Sequence, residues 1–188
     1  MNNSVPEHAA ADSKVGNRRH WLLGTVAGAA ALAGFTIAWR NHGTDGSSQA
    51  VEGKLWAREF STPEGQTIKM ESLRRKPLLL NFWASWCPPC IEELPLISSF
   101  YSEHSTKGFQ VLGLAIDELA PVRRFLNHTP VLFPVAMAGA SGIEIGRSLG
   151  NAGGGLPFTA VLNSKGQIAH RKMGRVTPYD LRLWGAVD

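Results

Sequence analysis

Cysteine is scarce: the 188-residue chain has two, Cys87 and Cys90, and no third. These thiols must pair with each other or act on another molecule. No second C-x-x-C and no closely spaced histidine pair accompanies them, so the four ligands of a structural zinc site are missing and no metal site is expected. Two thiolates do suit Cu(I), but no methionine–histidine cluster supports such a site, and copper handling stands only as a non-enzymatic alternative. The six histidines form no pair at ligand spacing; His104, His128 and His170 fall at the ends of predicted elements and read as solvated. No internal repeat is visible. Charged residues make up 18% of the chain against 44% hydrophobic ones, the balance of a globular protein with one unusually apolar segment. The net charge is +4, yet Arg74-Arg75-Lys76, Arg123-Arg124 and Arg171-Lys172 are scattered beside apolar runs. They read as solvated ends of strands and helices, which argues against nucleic acid as a partner.

The apolar segment lies near the N-terminus. From Trp21 to Trp39 no residue is charged, a length close to the ~20 residues a helix needs to cross the hydrocarbon core. Lys14, Arg18 and Arg19 precede it and Arg40 alone follows, a bias that holds the N-terminus in the cytoplasm and sends the rest outside. The expected organisation is a cytoplasmic tail over 1–20, a transmembrane signal-anchor over 21–39, a flexible Gly/Ser-rich linker over 40–52 and a folded domain over 53–188. The competing reading is a cleaved export signal, with Ala31-Leu32-Ala33 as the small-residue site and Arg18-Arg19 as a loose twin-arginine signal. Cleavage there would leave Phe35 to Trp39 as an exposed apolar tail, so the anchor is preferred. Both readings export the folded domain.

Within that domain, strand and helix alternate. Leu55 to Phe60 and Thr67 to Met70 read as a hairpin around Pro63-Glu64-Gly65, and Pro77 to Trp83 as a buried strand. Cys87 to about His104 reads as a helix with Ile91, Leu94, Ile97 and Tyr101 at helical spacing and Pro95 as a kinking residue. Phe109 to Ile116 reads as a parallel strand, followed by a helix (Ala120 to His128), a short strand (Leu132 to Ala136) and a helix (Gly142 to Leu149). Asn151 to Gly155 is too glycine-rich for either. Phe158 to Asn163 and Gln167 to Met173 form a second hairpin, and Pro178 to Val187 a closing helix.

Trp86-Cys87-Pro88-Pro89-Cys90 therefore sits where a buried strand feeds a helix. Two thiols at that spacing can close a short disulfide, and helical N–H groups and the macrodipole favour a thiolate on the first. Cys87 is the expected nucleophile and Cys90 the resolving thiol. A merely structural bridge is the plainer reading, but a loop that short restricts the unfolded chain little. Pro88 and Pro89 have no N–H to offer a thiolate. The pair should thus prefer to be oxidised, which makes the reduced protein a reductant.

The stretch Asn81-Phe82-Trp83-Ala84-Ser85-Trp86-Cys87-Pro88-Pro89-Cys90 resembles the active-site segment of the thioredoxin superfamily, and Ile91-Glu92-Glu93-Leu94-Pro95 extends the likeness to the TlpA/ResA branch of membrane-tethered thiol-disulfide oxidoreductases. The likeness covers roughly residues 55 to 184. It implies an α/β, thioredoxin-like fold: a central mixed sheet flanked by helices, with an N-terminal β-hairpin extension and a transmembrane segment. It also implies a cis bond before Pro157 facing the cysteines, with Leu156 lending backbone groups to a bound substrate. Glu93 matches a carboxylate held near the thiols in that branch; spacing alone makes it a solvated helix residue. Asn81 stands where cytosolic thioredoxin carries a buried aspartate, and it cannot accept a proton. Trp83 reads as core, and Trp86 as part of the surface around the thiols.

The function these features imply is reduction of disulfides in exported proteins at the outer face of the inner membrane, without a cofactor and with re-reduction by a membrane electron donor. Relatives of this type serve cytochrome c maturation or copper-centre assembly in cytochrome oxidase, so apocytochrome c or copper-site proteins are the expected partners. A peroxiredoxin-type thiol peroxidase shares the fold, but it would carry a proline and a threonine shortly before its cysteine, where this chain has Ser85-Trp86.

Overall fold

Leu78-Leu79-Leu80-Asn81-Phe82-Trp83 is buried along its whole length, as a strand covered on both faces must be. In the computed structural model, which describes residues 54–188, this run is the third of seven strands. The expected tail, anchor and linker all lie outside the described residues. Among the described residues no helix is long and apolar enough to cross a membrane.

The strands are β1 (Glu59–Ser61), β2 (Thr67–Lys69), β3 (Leu78–Trp83), β4 (Gln110–Ala115), β5 (Val135–Met137), β6 (Phe158–Leu162) and β7 (Ile168–Met173). The helices are α1 (Pro88–His104), α2 (Leu119–His128), α3 (Ser141–Ser148) and α4 (Pro178–Trp184). One mixed sheet orders them β2-β1-β5-β4-β3-β6-β7. Strands β3, β4 and β5 are parallel. The β6–β7 hairpin joins antiparallel to β3, and the N-terminal hairpin joins antiparallel to the outer edge of β5. The expected thioredoxin-like α/β architecture and its hairpin extension are both present.

Alternation along β3 divides the core. Leu79 and Trp83 pack with Leu94 and Ile97 of α1, Val122 of α2, and Leu181 and Trp184 of α4. Leu78, Leu80 and Phe82 pack on the other face with Ile145 of α3 and with Leu55, Trp56 and Phe60 from the N-terminal segment. Gly113 of β4 is required by this packing: a Cβ there would meet the Phe133 ring at 2.9 Å and the Trp83 indole nitrogen at 3.2 Å. With no side chain in the way, Trp83 lies flat enough to tilt against Phe125 at a 5.4 Å centroid separation.

Two boundaries differ from expectation for identifiable reasons. Residues 54–56 are helical and only Glu59–Ser61 pairs as strand. Leu55 and Trp56 are consecutive yet buried in the same cluster, which a strand with its two-residue period cannot achieve. The strand expected over Leu132 to Ala136 begins instead at Val135. Pro134 has no N–H for the ladder, and Leu132 is left exposed. Pro95 stands within α1 without ending it.

Candidate active site

After Trp83 the chain makes a tight turn before α1, closed by the Cys87 N–H donating to the Ala84 carbonyl at 3.2 Å. Asp117, just past the end of β4, holds the turn from the side: its Oδ2 accepts from the Ser85 N–H at 2.8 Å and the Ser85 hydroxyl at 2.5 Å. Cys87 is the N-cap of α1, with Pro88 and Pro89 in the first turn. The first N–H of the helix belongs to Cys90, and it donates to the Cys87 carbonyl at 3.0 Å. The two cysteines form a disulfide, with Cα atoms 5.3 Å apart. Cys90 is fully buried, Cys87 is 5% exposed, and neighbouring Trp86 is 65% exposed. Cys87, the expected nucleophile, thus lies nearer the surface than Cys90, the expected resolving thiol, with an exposed indole alongside.

The opposite wall comes from the segment before β6. The Leu156–Pro157 bond is cis, and pairing of Phe158 with Phe82 places Pro157 beside the end of β3, from which the cysteine motif continues. Leu156 is partly buried and packs against the cluster that contains both cysteines. Met173, at the end of β7, is 52% exposed and lies against Gly155.

Below the disulfide, Glu93 is 1% exposed rather than solvated, which corrects the expectation from spacing alone. Its Oε1 accepts from Asn81 Nδ2 at 2.7 Å and its Oε2 from the Val176 N–H at 2.6 Å. Asn81 Nδ2 also donates to Thr159 Oγ1 at 3.1 Å, while Asn81 Oδ1 is buried without a partner among the described residues. Burial is the largest influence on the Glu93 carboxyl and pushes its pKa above the ordinary value; the two donated hydrogen bonds and the charges of Arg175 and Lys172 pull the other way without overcoming it. Glu92, one residue earlier, faces solvent and pairs with Arg175 at 2.5 Å. His104 is not solvated as expected: it stacks on Phe100 at 4.3 Å, and its Nδ1 lies 3.0 Å from the Phe100 carbonyl.

The structure therefore gathers Cys87, Cys90, Trp86, Leu156, Pro157 and Glu93 at one end of the sheet. Sequence reasoning missed Asp117, Thr159, Met173 and Asn151. A signal existed for Thr159, since the β3–β6 pairing of a thioredoxin-like order sets it opposite Asn81. For Asp117 there was none beyond its position after an apolar strand.

Comparisons with known proteins agree with this arrangement. The family described as Redoxin matches residues 50–181. The thiol-disulfide oxidoreductase ResA of Bacillus thuringiensis (strain Al Hakam) is 32% identical over 121 residues, covering 63% of this chain and 66% of that protein. The chain thus spans just under two thirds of the length of that relative. The sporulation thiol-disulfide oxidoreductase A of Bacillus subtilis is 28% identical over 129 residues, 66% of this chain and 75% of the relative. Among solved structures, StoA from Bacillus subtilis superposes with a TM-score of 0.55 at 27% identity, over 68% of this chain and 94% of that one. The structure of MTB dsbF gives 0.60 at 25% identity, over 70% and 94%. With a matched region that takes in the whole cysteine motif and most of the sheet, the chain belongs to the Redoxin family, as a ResA/TlpA-like member.

Proposed function

We propose that the protein is a thiol-disulfide oxidoreductase that works as a disulfide reductase. The observation that carries this reading is the Cys87–Cys90 disulfide at the start of α1, its first cysteine at the rim and its second buried. In the reduced protein the Cys87 thiolate attacks one sulfur of a substrate disulfide. A mixed disulfide forms and the other substrate sulfur leaves as a thiolate, which takes up a proton. Cys90 then gives up its proton and attacks the Cys87 sulfur, releasing the second substrate thiol and leaving the protein oxidised. Glu93, on the next helical turn from Cys90, is suited to accept that proton because its carboxyl holds protons to a higher pH than a solvated one. Trp86, Leu156 and Pro157 form the surface on which the substrate docks.

Pro88 and Pro89 favour the reducing direction by withholding donors from the thiolate. Two electrons and two protons from a membrane donor return the pair to the dithiol. In this reading the N-terminal apolar run anchors the chain in the inner membrane with the domain on the periplasmic side. The substrates are exported proteins such as apocytochrome c or copper-site proteins of cytochrome oxidase.

Reduction of a disulfide-bonded test protein such as insulin checks the chemistry. Cys87→Ser should abolish it, and Cys90→Ser should accumulate a mixed disulfide. Equal residual activity in the two variants would contradict the assigned roles.

A further inference from the structure

The segment Asn151-Ala152-Gly153-Gly154-Gly155 leads directly into Leu156-Pro157, and three consecutive glycines cannot fix the direction of a backbone by themselves. In the structure the segment is held from its own first residue. The Asn151 side chain is buried, 4% exposed, and sits over Gly146 of α3, where the missing side chain leaves room for it. Its Nδ2 donates to the Gly155 carbonyl at 2.8 Å. The Asn151 carbonyl accepts from the Gly154 N–H at 3.0 Å, and the Asn151 N–H donates to the Gly146 carbonyl at 2.9 Å. One residue therefore joins α3 to the last two glycines of the run.

The Asn151 Oδ1 has no partner among the described residues although it is buried. An apolar side chain would fill this space without that cost; only the amide nitrogen, engaged with Gly155, uses the polarity of the residue. The consequence lies at the wall of the active site. With the Gly155 carbonyl turned inward and satisfied, the chain continues into Leu156, whose N–H and C=O have no hydrogen bond within the described residues. The Pro157 carbonyl is already taken by the Gly174 N–H at 2.9 Å.

We infer that Asn151 is a positioning residue for substrate docking: by holding the Gly155 carbonyl it fixes the direction in which the open backbone groups of Leu156 are presented to an extended peptide beside Cys87. This rests on the reductase reading and on the strand pairing at Leu156 that the family resemblance implies, and adds to them the side chain that holds that backbone in place.

The test compares wild type with Asn151→Ala on two oxidants of the reduced protein: a disulfide-bonded protein, and the small aromatic disulfide DTNB, which has no peptide strand to align. Loss of one positioning hydrogen bond should raise KM for the protein substrate by about two- to tenfold with little change in kcat. The DTNB rate and the glutathione-measured potential should stay unchanged. Gly153 has ordinary φ and no neighbour within 4 Å of an added Cβ, so Gly153→Ala stiffens the run without a clash. Added to Asn151→Ala, it should recover part of the lost affinity. An unchanged KM overturns the inference. So does an equal fall with both oxidants, which is the mark of general structural damage. A wild-type protein that reduces neither oxidant sinks the reductase reading itself, and is told apart from these outcomes because it precedes any comparison of variants.

Discussion

Removing the charge of Glu93 without changing its shape should alter how stability depends on pH, in a direction set by its burial. The carboxyl pKa is raised in the folded protein above its ordinary 4.5, with burial the main cause. The native state then holds a proton over a pH range in which the unfolded chain has released it. Stability is therefore fully present below about pH 4.5, falls as the pH rises towards the folded pKa, and levels off above it. The fall can reach about 1.4 kcal/mol per pH unit across that window. Glu93→Gln does not titrate, and its pairing can be kept: the amide oxygen accepts from the Val176 N–H, and its NH2 faces Asn81, which can turn its own amide to present Oδ1. That oxygen has no partner among the described residues of the wild type, so one buried polar atom remains unpaired either way. The variant should match wild type within about 1 kcal/mol at acid pH and become the more stable of the two as the pH rises. Glu93→Ala, by contrast, strands the buried Val176 N–H and empties a packed site, and should cost about 2–4 kcal/mol at acid pH, a deficit that narrows as the wild type loses stability with rising pH. Urea unfolding of the oxidised protein, followed by tryptophan fluorescence, gives these values from about pH 4 to 8. In that form the disulfide-bonded cysteines do not titrate. Parallel pH profiles for wild type and Glu93→Gln would refute the argument that burial governs this carboxyl.

Two further outcomes are expected. Pro88→His, at an exposed position in the first turn of α1, places a potential cation beside the Cys87 thiolate and should raise the reduction potential, with about 30 mV for each 1.4 kcal/mol of added thiolate stabilisation; glutathione equilibration reads it, and an unchanged or lower value means that the proline pair does not set the redox direction. If the uncharged run between Trp21 and Trp39 is the anchor proposed, the full chain should fractionate with membranes with its C-terminal domain accessible from outside. Recovery of a soluble protein beginning near Gly34 would replace the anchor with a cleaved signal.

What the sequence revealed of the fold follows from how local each signal was. The β3 run, the α1 periodicity and the two hairpins are encoded in contiguous residues, and they form where expected. The misplaced boundaries, at residues 54–56 and at β5, are places where neighbours in space decide. Gly166 backs onto the Trp56 indole, 3.2 Å from a built Cβ to Nε1, and rewards a turn that buries Trp56. Pro134 still accepts from Gly113 through its carbonyl at 2.9 Å but cannot donate, so the chain runs beside β4 before its ladder starts. Neither contact can be read from a local pattern.

The site divides in the same way. Cys87, Cys90 and Trp86 lie in one short stretch and could be read together, whereas the network beneath them joins residues far apart in the chain: Asn81 to Thr159, Glu93 to Val176, Ser85 to Asp117. Tertiary packing brings these together, and the sheet register itself accounts only for Asn81 opposite Thr159. Once assembled, they give Asn81 a physical meaning that the bare substitution lacked. An aspartate at this position would set a second carboxylate against Glu93 where the amide now sits 2.7 Å away. Two buried carboxyls that close share a proton and titrate as a coupled pair. The amide donates to Glu93 instead and cannot ionise. Among the described residues Glu93 is therefore the one buried carboxyl, its pKa raised by burial and lowered less by the Val176 N–H, the Asn81 amide and the charges of Arg175 and Lys172.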